Sequence, residues 1–278
     1  MLMPILPSFS MAIGGLGFCI QTPDHAWLAA LAPLYSEFPL DNAADWQVSL
    51  AHDVNLAPAP QAWIEHAGPV TRFHIESYAG WIDLELRQAF VRTPSLAIAP
   101  AAVERTIAYA CMQMLPRERN SLLLHAAGIL WRGKGLVVSG HSGAGKTTVS
   151  RLSLGYGELF NDEMVIVDLS GHRPMLLSTP FLGRKTPPEL VRRINRTAPV
   201  DALILLAHAP IFELRQLGPS EAVMELLRTD IAAVERLTSA AIWMTVVEQL
   251  VDSVPVYQLC FRPTTELWDF LAVELDVN

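Results

Sequence analysis

Residues 140–147 have the types and spacing of a loop that wraps a phosphate chain. They read Gly-His-Ser-Gly-Ala-Gly-Lys-Thr and match the P-loop pattern G-x-x-x-x-G-K-[S/T] at every fixed position. Glycines let the backbone curl so that its N–H groups point inward, and the positive end of a following helix adds to the same field. Lys146 would contact the β and γ phosphates, and the Thr147 hydroxyl would bind Mg²⁺. The residues expected to bind the phosphates of ATP are Gly140, Ser142, Gly143, Ala144, Gly145, Lys146, Thr147 and Thr148.

The segments on either side of this loop favour the same interpretation. Residues 135–139 form a short apolar run, and residues 148–154 carry apolar side chains at helical spacing. Strand, glycine loop and helix is the arrangement that a P-loop requires. The alternative is a tight glycine turn without a ligand, but such a turn has no need of the Lys146-Thr147 pair.

Phosphoryl transfer from a nucleotide also needs a carboxylate to hold the metal or to accept a proton. Asp162 and Glu163 follow a predicted strand over 158–161, where an acidic pair can face the phosphates. Asp168 ends the apolar run 165–167, but a Ser-Gly turn follows, where Asp is common for turn chemistry alone. The sequence therefore favours Asp162 over Asp168, with Glu163 as a further metal ligand.

Other polar residues have two interpretations each. His125 lies in the apolar run 122–128, predicted as one strand, and is either a core histidine or part of a site. Five basic residues are either solvated or in contact with a phosphate or an acidic substrate. They are Arg184 and Lys185 in a loop, and Arg192, Arg193 and Arg196 on or just beyond a predicted helix over 188–194.

Composition restricts the class of protein. The 278 residues are 51% hydrophobic and 17% charged, which suits one large or two modest globular domains. No apolar run reaches the roughly 18 residues of a membrane span, and no basic residue precedes Arg72, so we expect a cytoplasmic protein without a signal peptide. The formal charge of −8, with six acids and no Lys or Arg in residues 1–71, argues against nucleic-acid or membrane partners.

The pattern of elements divides the chain near residue 100. Residues 1–99 read as an α+β region with a helix over 24–36 and strands near 46–50, 70–78 and 80–91. Residues 100–278 begin with a helix over 100–115 and continue with strands and helices around the loop, which predicts an α/β nucleotide-binding domain. Later predicted elements are a hairpin over 165–177, a buried strand over 202–206, helices over 219–228 and 231–250, a strand over 256–261 and a last helix from residue 264.

Several of these segments together resemble the catalytic domain of HPr kinase/phosphorylase. They are Leu124-His125-Ala126-Ala127-Gly128, the loop 137–148 and Phe160-Asn161-Asp162-Glu163, in the family's order and at about its separations. Residues 178–181, 255–257 and 261–263 are similar to the stand-alone HPr-kinase-like proteins of peptide-modifying gene clusters. The resemblance covers roughly residues 100–265.

The resemblance implies a fold, an activity and two residue roles. It implies a P-loop core of the HPr kinase and phosphoenolpyruvate carboxykinase type, with Asp162 as the general base and His125 near the reacting phosphate. Glu163 stands where HPr enzymes carry a second Asp, and the Gly-rich signature that engages HPr does not follow residue 178. HPr is therefore not the expected acceptor.

We accordingly expect an ATP- and Mg²⁺-dependent kinase that phosphorylates a hydroxyl, a serine of a peptide or small protein, with Asp162, His125 and Lys146 as catalytic residues. Residues 1–99 would contribute acceptor or partner binding. A non-catalytic nucleotide-binding regulator and a small-molecule kinase are the alternatives, and the oligomeric state, including a homo-oligomer, stays open.

Overall fold

The computed structural model describes residues 6–183, 186–234 and 240–275, and the chain divides into two compact units, Met1–Gln113 and Met114–Asn278. The boundary falls inside a helix, α2, that runs over Ala99–Glu118. The sequence predicts a boundary after residue 99, before the helix predicted over 100–115, and the structural division lies within that helix. No helix in the described residues is long and apolar enough to cross a membrane.

The first unit is built on a mixed sheet, which has seven strands in the part of the unit that the structure describes. The elements are β1 Ser8–Ile13, β2 Leu16–Gln21, α1 His25–Leu31 with a 3-10 turn Ala32–Tyr35, β3 Trp46–His52, β4 Trp63–Ala67, β5 Val70–Ile75, β6 Tyr78–Asp83 and β7 Gln88–Thr93. The strand order is β1-β2-β3-β7-β6-β5-β4, with β3 parallel to both neighbours and the other pairs antiparallel. Asp24 caps α1 by accepting hydrogen bonds from the N–H groups of Ala26 and Trp27.

The strand predicted over 80–91 is wrong, because the chain turns in its middle. Asp83 accepts hydrogen bonds from the backbone N–H groups of Glu85 and Leu86, at 3.0 and 2.9 Å, and Arg87 has a φ of 52°. This local turn folds β6 and β7 into a hairpin. Apolar and polar residues alternate in the sequence on both sides of this turn, and the alternation alone does not show that the chain reverses between β6 and β7.

The second unit is a sheet covered by helices. Its elements are β8 Ser121–Leu124, β9 Ala127–Trp131, β10 Lys134–Ser139, α3 Lys146–Ser153, β11 Glu158–Asn161, β12 Val165–Asp168, β13 Met175–Leu177, a 3-10 turn Pro188–Leu190, β14 Thr197–His208, β15 Glu213–Gln216, α4 Pro219–Val234, α5 Ala240–Ser253, β16 Val256–Phe261 and α6 Glu266–Glu274. The described strands follow the order β11-β9-β10-β14-β13-β12-β8, and β16 pairs with both β14 and β15.

The long strand β14 is the centre of this unit. It lies parallel to β10 and β16 and antiparallel to β13, and its residues alternate between two apolar cores. Leu203 and Leu205 join the core that includes Trp243 and Val247 of α5, and Ile204 joins the core that includes Trp268 of α6. A strand buried on both faces reads as a continuous apolar run, as the sequence predicted over 202–206.

Two short connections between strands lie at the same level of the sheet. One joins β8 to β9, and the other joins β11 to β12. The strand predicted over 122–128 is broken at His125 and Ala126, because β8 pairs with β12 while β9 pairs with β10 and β11. Residues 162–164 make the matching step from β11 to β12. Since Leu124 pairs with Val165 and Gly128 with Asn161, residues 125–126 and 162–164 lie opposite each other in the gap between two ladders.

The helix predicted over 188–194 is also wrong. A 3-10 turn covers Pro188–Leu190, and residues 191–196 follow without helix. The prolines at 187 and 188 are compatible with a helix start, but the backbone becomes extended at Val191, with φ −63° and ψ 116°, and the turn ends there. The helix predicted over 231–250 corresponds to the end of α4 and to α5, and residues 235–239 lie outside the described part of the chain.

Candidate functional site

The glycine loop, residues 140–147, connects β10 to α3. Gly143 and Gly145 have φ values of 84° and 104°, which residues other than glycine rarely adopt. A Cβ on Gly145 would lie 2.8 Å from the ring of Phe261 at the end of β16, whereas one on Gly143 would meet nothing within 4 Å. The loop therefore packs on the sheet on one side, and His141, Ser142 and Gly143 are exposed on the other.

Lys146 is the first residue of α3 and is 9% exposed. Its ammonium group donates a hydrogen bond of 2.6 Å to the carbonyl of Gly140, which ties the end of the loop to its beginning. A lysine ammonium has three N–H donors, and this bond uses one of them. The charge is thus held against the concave loop at the N-terminus of a helix, where anions bind favourably.

Asp162 is the carboxylate that the structure brings to the loop. The Thr147 hydroxyl donates to its Oδ2 at 3.2 Å, and the Ser150 hydroxyl donates to its Oδ1. Asp162 is 7% exposed, and burial raises the pKa of its carboxyl group, while the two hydroxyl donors act in the opposite direction. The nearby charge of Glu163 adds to the rise, and Lys146 opposes it.

Glu163 and His125 form the more open part of the site. Their side chains are 22% and 41% exposed, and His125 Nε2 lies 3.8 Å from Glu163 Oε2. The two residues meet because they stand on the opposing connections 125–126 and 162–164. A Cβ on Gly183 would overlap the Glu163 carboxylate, so the loop after β13 passes close to this acid.

Asn161 organises the turn that carries both acids, and the sequence analysis did not single it out. Its Oδ1 accepts the N–H groups of Glu163 and Met164, at 2.6 and 2.9 Å. Its Nδ2 donates to the carbonyls of Thr179 and Phe181, both at 2.9 Å. Asn at the end of a strand before polar residues is a turn signal that could have indicated the first pair of bonds. The second pair depends on tertiary structure.

Asp168 lies at the far end of β12 and has a local role. Its Oδ1 accepts hydrogen bonds from Ser121 Oγ at 3.0 Å and from the Ser170 N–H at 2.9 Å. This is the turn chemistry that the Ser-Gly sequence indicated.

The basic cluster has structural contacts of its own. Arg196 forms an ion pair of 3.1 Å with Glu158, and Arg192 donates to the carbonyls of Glu189 and Val191. Arg184 and Lys185 lie outside the described residues.

The side chains present suit Mg²⁺ together with a polyphosphate. Hydroxyl and carboxylate oxygens of Thr147, Asp162 and Glu163 are hard ligands, and Mg²⁺ is usually bound by one or two carboxylates plus substrate phosphates. Among the described residues no group of three or more His, Cys, Asp or Glu side chains could hold a metal alone. An Mg²⁺ ion held by Thr147 and one or two of these carboxylates would take its other ligands from phosphate oxygens and water.

No protein-family model matches the chain, and no curated protein matches it. Among solved structures it is similar to the HPr(Ser) kinase/phosphatase from Coxiella burnetii, with a TM-score of 0.31 and 11% identity, over 55% of this chain and 93% of that one.

Proposed function

We propose that this protein is an ATP- and Mg²⁺-dependent kinase that transfers a phosphoryl group to a hydroxyl, a serine of a peptide or small protein. The observation that carries the proposal is the hydrogen bond between Thr147 and Asp162, which joins the glycine loop to a carboxylate from the following strand. A merely structural glycine turn has no need of a buried Lys146 and a buried acid on its inner side.

The residues of the proposed site serve phosphate binding, metal binding and proton transfer. Lys146 and the N–H groups of the loop bind the phosphates, and Thr147 with Asp162 or Glu163 holds Mg²⁺, which when bound supplies positive charge to the phosphates. Asp162 accepts the proton of the acceptor hydroxyl. The hydrogen bonds from Thr147 and Ser150 leave Asp162 able to accept this proton, because a carboxylate has about four lone-pair sites.

The acceptor is proposed from the resemblance to HPr-kinase-like proteins and from the exposure of one side of the site. His125 and Glu163 are the accessible members, so an acceptor hydroxyl would approach past them. The P-loop core of the HPr kinase and phosphoenolpyruvate carboxykinase type, and a role of residues 1–99 in binding the acceptor or a partner, belong to the same proposal.

The test is transfer from γ-labelled ATP to serine peptides, with Asp162→Asn compared to Asp168→Asn. Both variants remove one carboxylate at a strand end, but only Asp162 contacts the glycine loop. We expect Asp162→Asn to lose at least about a hundredfold in turnover while ATP still binds, and Asp168→Asn to stay near wild type. Free serine as acceptor distinguishes a small-molecule kinase. Tight ATP binding without transfer to any hydroxyl would reject the kinase and favour a nucleotide-binding regulator.

A further inference from the structure

Ser150 lies one helical turn beyond the glycine loop, three residues after Thr147 on α3. Residues three apart share a helix face, so both hydroxyls point toward the same carboxylate. Ser150 is fully buried and donates to Asp162 Oδ1, while Thr147 donates to Oδ2. The two oxygens of one buried acid are therefore held by two side chains of one helix.

We infer that Ser150 is a positioning residue of the proposed phosphoryl-transfer site, which orients the Asp162 carboxylate toward Thr147 and hence toward Mg²⁺. This inference rests on the proposed function. The terminal torsion of an aspartate is broad, so a single hydrogen bond would leave the carboxylate plane free to rotate. A second donor on the other oxygen fixes the plane, and the Thr147 hydroxyl can then donate to Asp162 while its lone pairs face a cation.

Ser150 hydrogen-bonds outside its own helix, and this supports its role as a positioning residue. A serine inside a helix commonly donates to a carbonyl of the preceding turn. Ser153 on the same helix does so, because its Oγ donates to the Ser150 carbonyl at 2.7 Å. Ser150 donates instead to a side chain twelve residues further along the chain. Both serines are 0% exposed, so burial alone does not explain the difference.

The experiment compares Ser150→Ala with Ser153→Ala by calorimetric titration of ATP, with Mg²⁺ and with EDTA. Each variant removes one buried hydroxyl from α3, but only Ser150→Ala removes a hydrogen bond to Asp162. We expect Ser150→Ala to weaken binding of Mg²⁺-ATP roughly tenfold, because a hydrogen bond to a charged group is lost, and to leave binding in EDTA within about twofold. Ser153→Ala should leave both affinities within about twofold. Ser150→Cys, with a weaker donor, should fall between wild type and Ser150→Ala.

Three outcomes are distinguishable. A metal-dependent loss in Ser150→Ala alone supports the inference. Equal affinities for the two alanine variants, or an equal loss with and without Mg²⁺ in Ser150→Ala, would overturn it and leave the proposed function standing. If the wild-type protein binds no Mg²⁺-ATP, the proposed function fails and the inference fails with it.

Discussion

At the scale of single residues, the site is held together by side chains that use several hydrogen bonds at once. Asn161 makes four and is 1% exposed, and Asp162 accepts from two hydroxyls. Burial makes each of these bonds matter, because a partner left unsatisfied away from water keeps its full desolvation cost. The acidic pair is therefore positioned by its buried neighbours.

Asn161→Ala should be markedly destabilising. It leaves two backbone N–H groups and two carbonyls without their present partner, so we expect the free energy of unfolding to fall by about 2–4 kcal/mol. Urea denaturation measures the change. Asn195 is exposed, and Asn195→Ala is the control, expected to stay within about 0.5 kcal/mol of wild type. Equal stability of the two variants would show that the Asn161 bonds do not hold the turn.

At the scale of elements, the curvature of the glycine loop depends on both its own backbone and the strand behind it. Gly143 and Gly145 both have positive φ, but only Gly145 lies against Phe261 of β16. β10, which enters the loop, and β16 both lie parallel to β14, so β14 and β16 bring Phe261 to the end of the sheet where the loop begins. The shape of the loop is thus a property of three strands and one helix.

Gly145→Ala should therefore cost more stability than Gly143→Ala. Both substitutions pay for a left-handed backbone, about 1–2 kcal/mol, and Gly145→Ala adds a collision with the Phe261 ring. Denaturation of both variants checks the order. In the Phe261→Leu background the cost of Gly145→Ala should shrink by at least about 0.5 kcal/mol, since the two sites are in contact. A cost unchanged in that background would contradict the contact as its cause.

At the scale of the whole molecule, the net negative charge affects which ligands are attracted, and the burial of each cysteine affects how readily its thiol reacts. The excess of 28 acids over 20 Lys and Arg residues gives no general attraction to polyanions. The three cysteines are unpaired, with Cys111 buried in α2 and Cys19 and Cys260 partly exposed. Burial raises the pKa of the Cys111 thiol well above its ordinary value near 9. In the folded state this thiol should therefore stay protonated and unreactive.

Thiol labelling and alkaline unfolding test this expectation. In the native protein we expect Cys19 and Cys260 to react with a thiol reagent and Cys111 to react only after denaturation. Because the folded state keeps the Cys111 proton to higher pH than the unfolded chain, the free energy of unfolding should decline above pH 9, by roughly 1 kcal/mol at pH 10. Cys111→Ala should lack this part of the decline. Native labelling of Cys111 at the rate of the other two would contradict its burial.

By itself, the sequence determined what depends on neighbours along the chain. The strand-loop-helix arrangement around residues 140–147, the buried run in β14 and the turn after Asp168 follow from glycine positions, apolar periodicity and turn residues within a few positions of each other. Such patterns do not reveal a chain reversal that depends on the hydrogen bonds of a single side chain, such as the turn that Asp83 stabilises between β6 and β7. They also predicted a helix over 188–194, where the chain makes a 3-10 turn over Pro188–Leu190 and then becomes extended.

Only the tertiary structure decided which distant residues meet. Thr147 and Ser150 contact Asp162, and His125 faces Glu163, because β8 and β9 run opposite β12 and β11 with a gap at the same level. The register of strands far apart in sequence is set by the packing of the whole sheet, which no local spacing encodes. The chemistry of the loop could be read from its residues, but the partners of Asp162 and Glu163 depended on how the sheet closes around them.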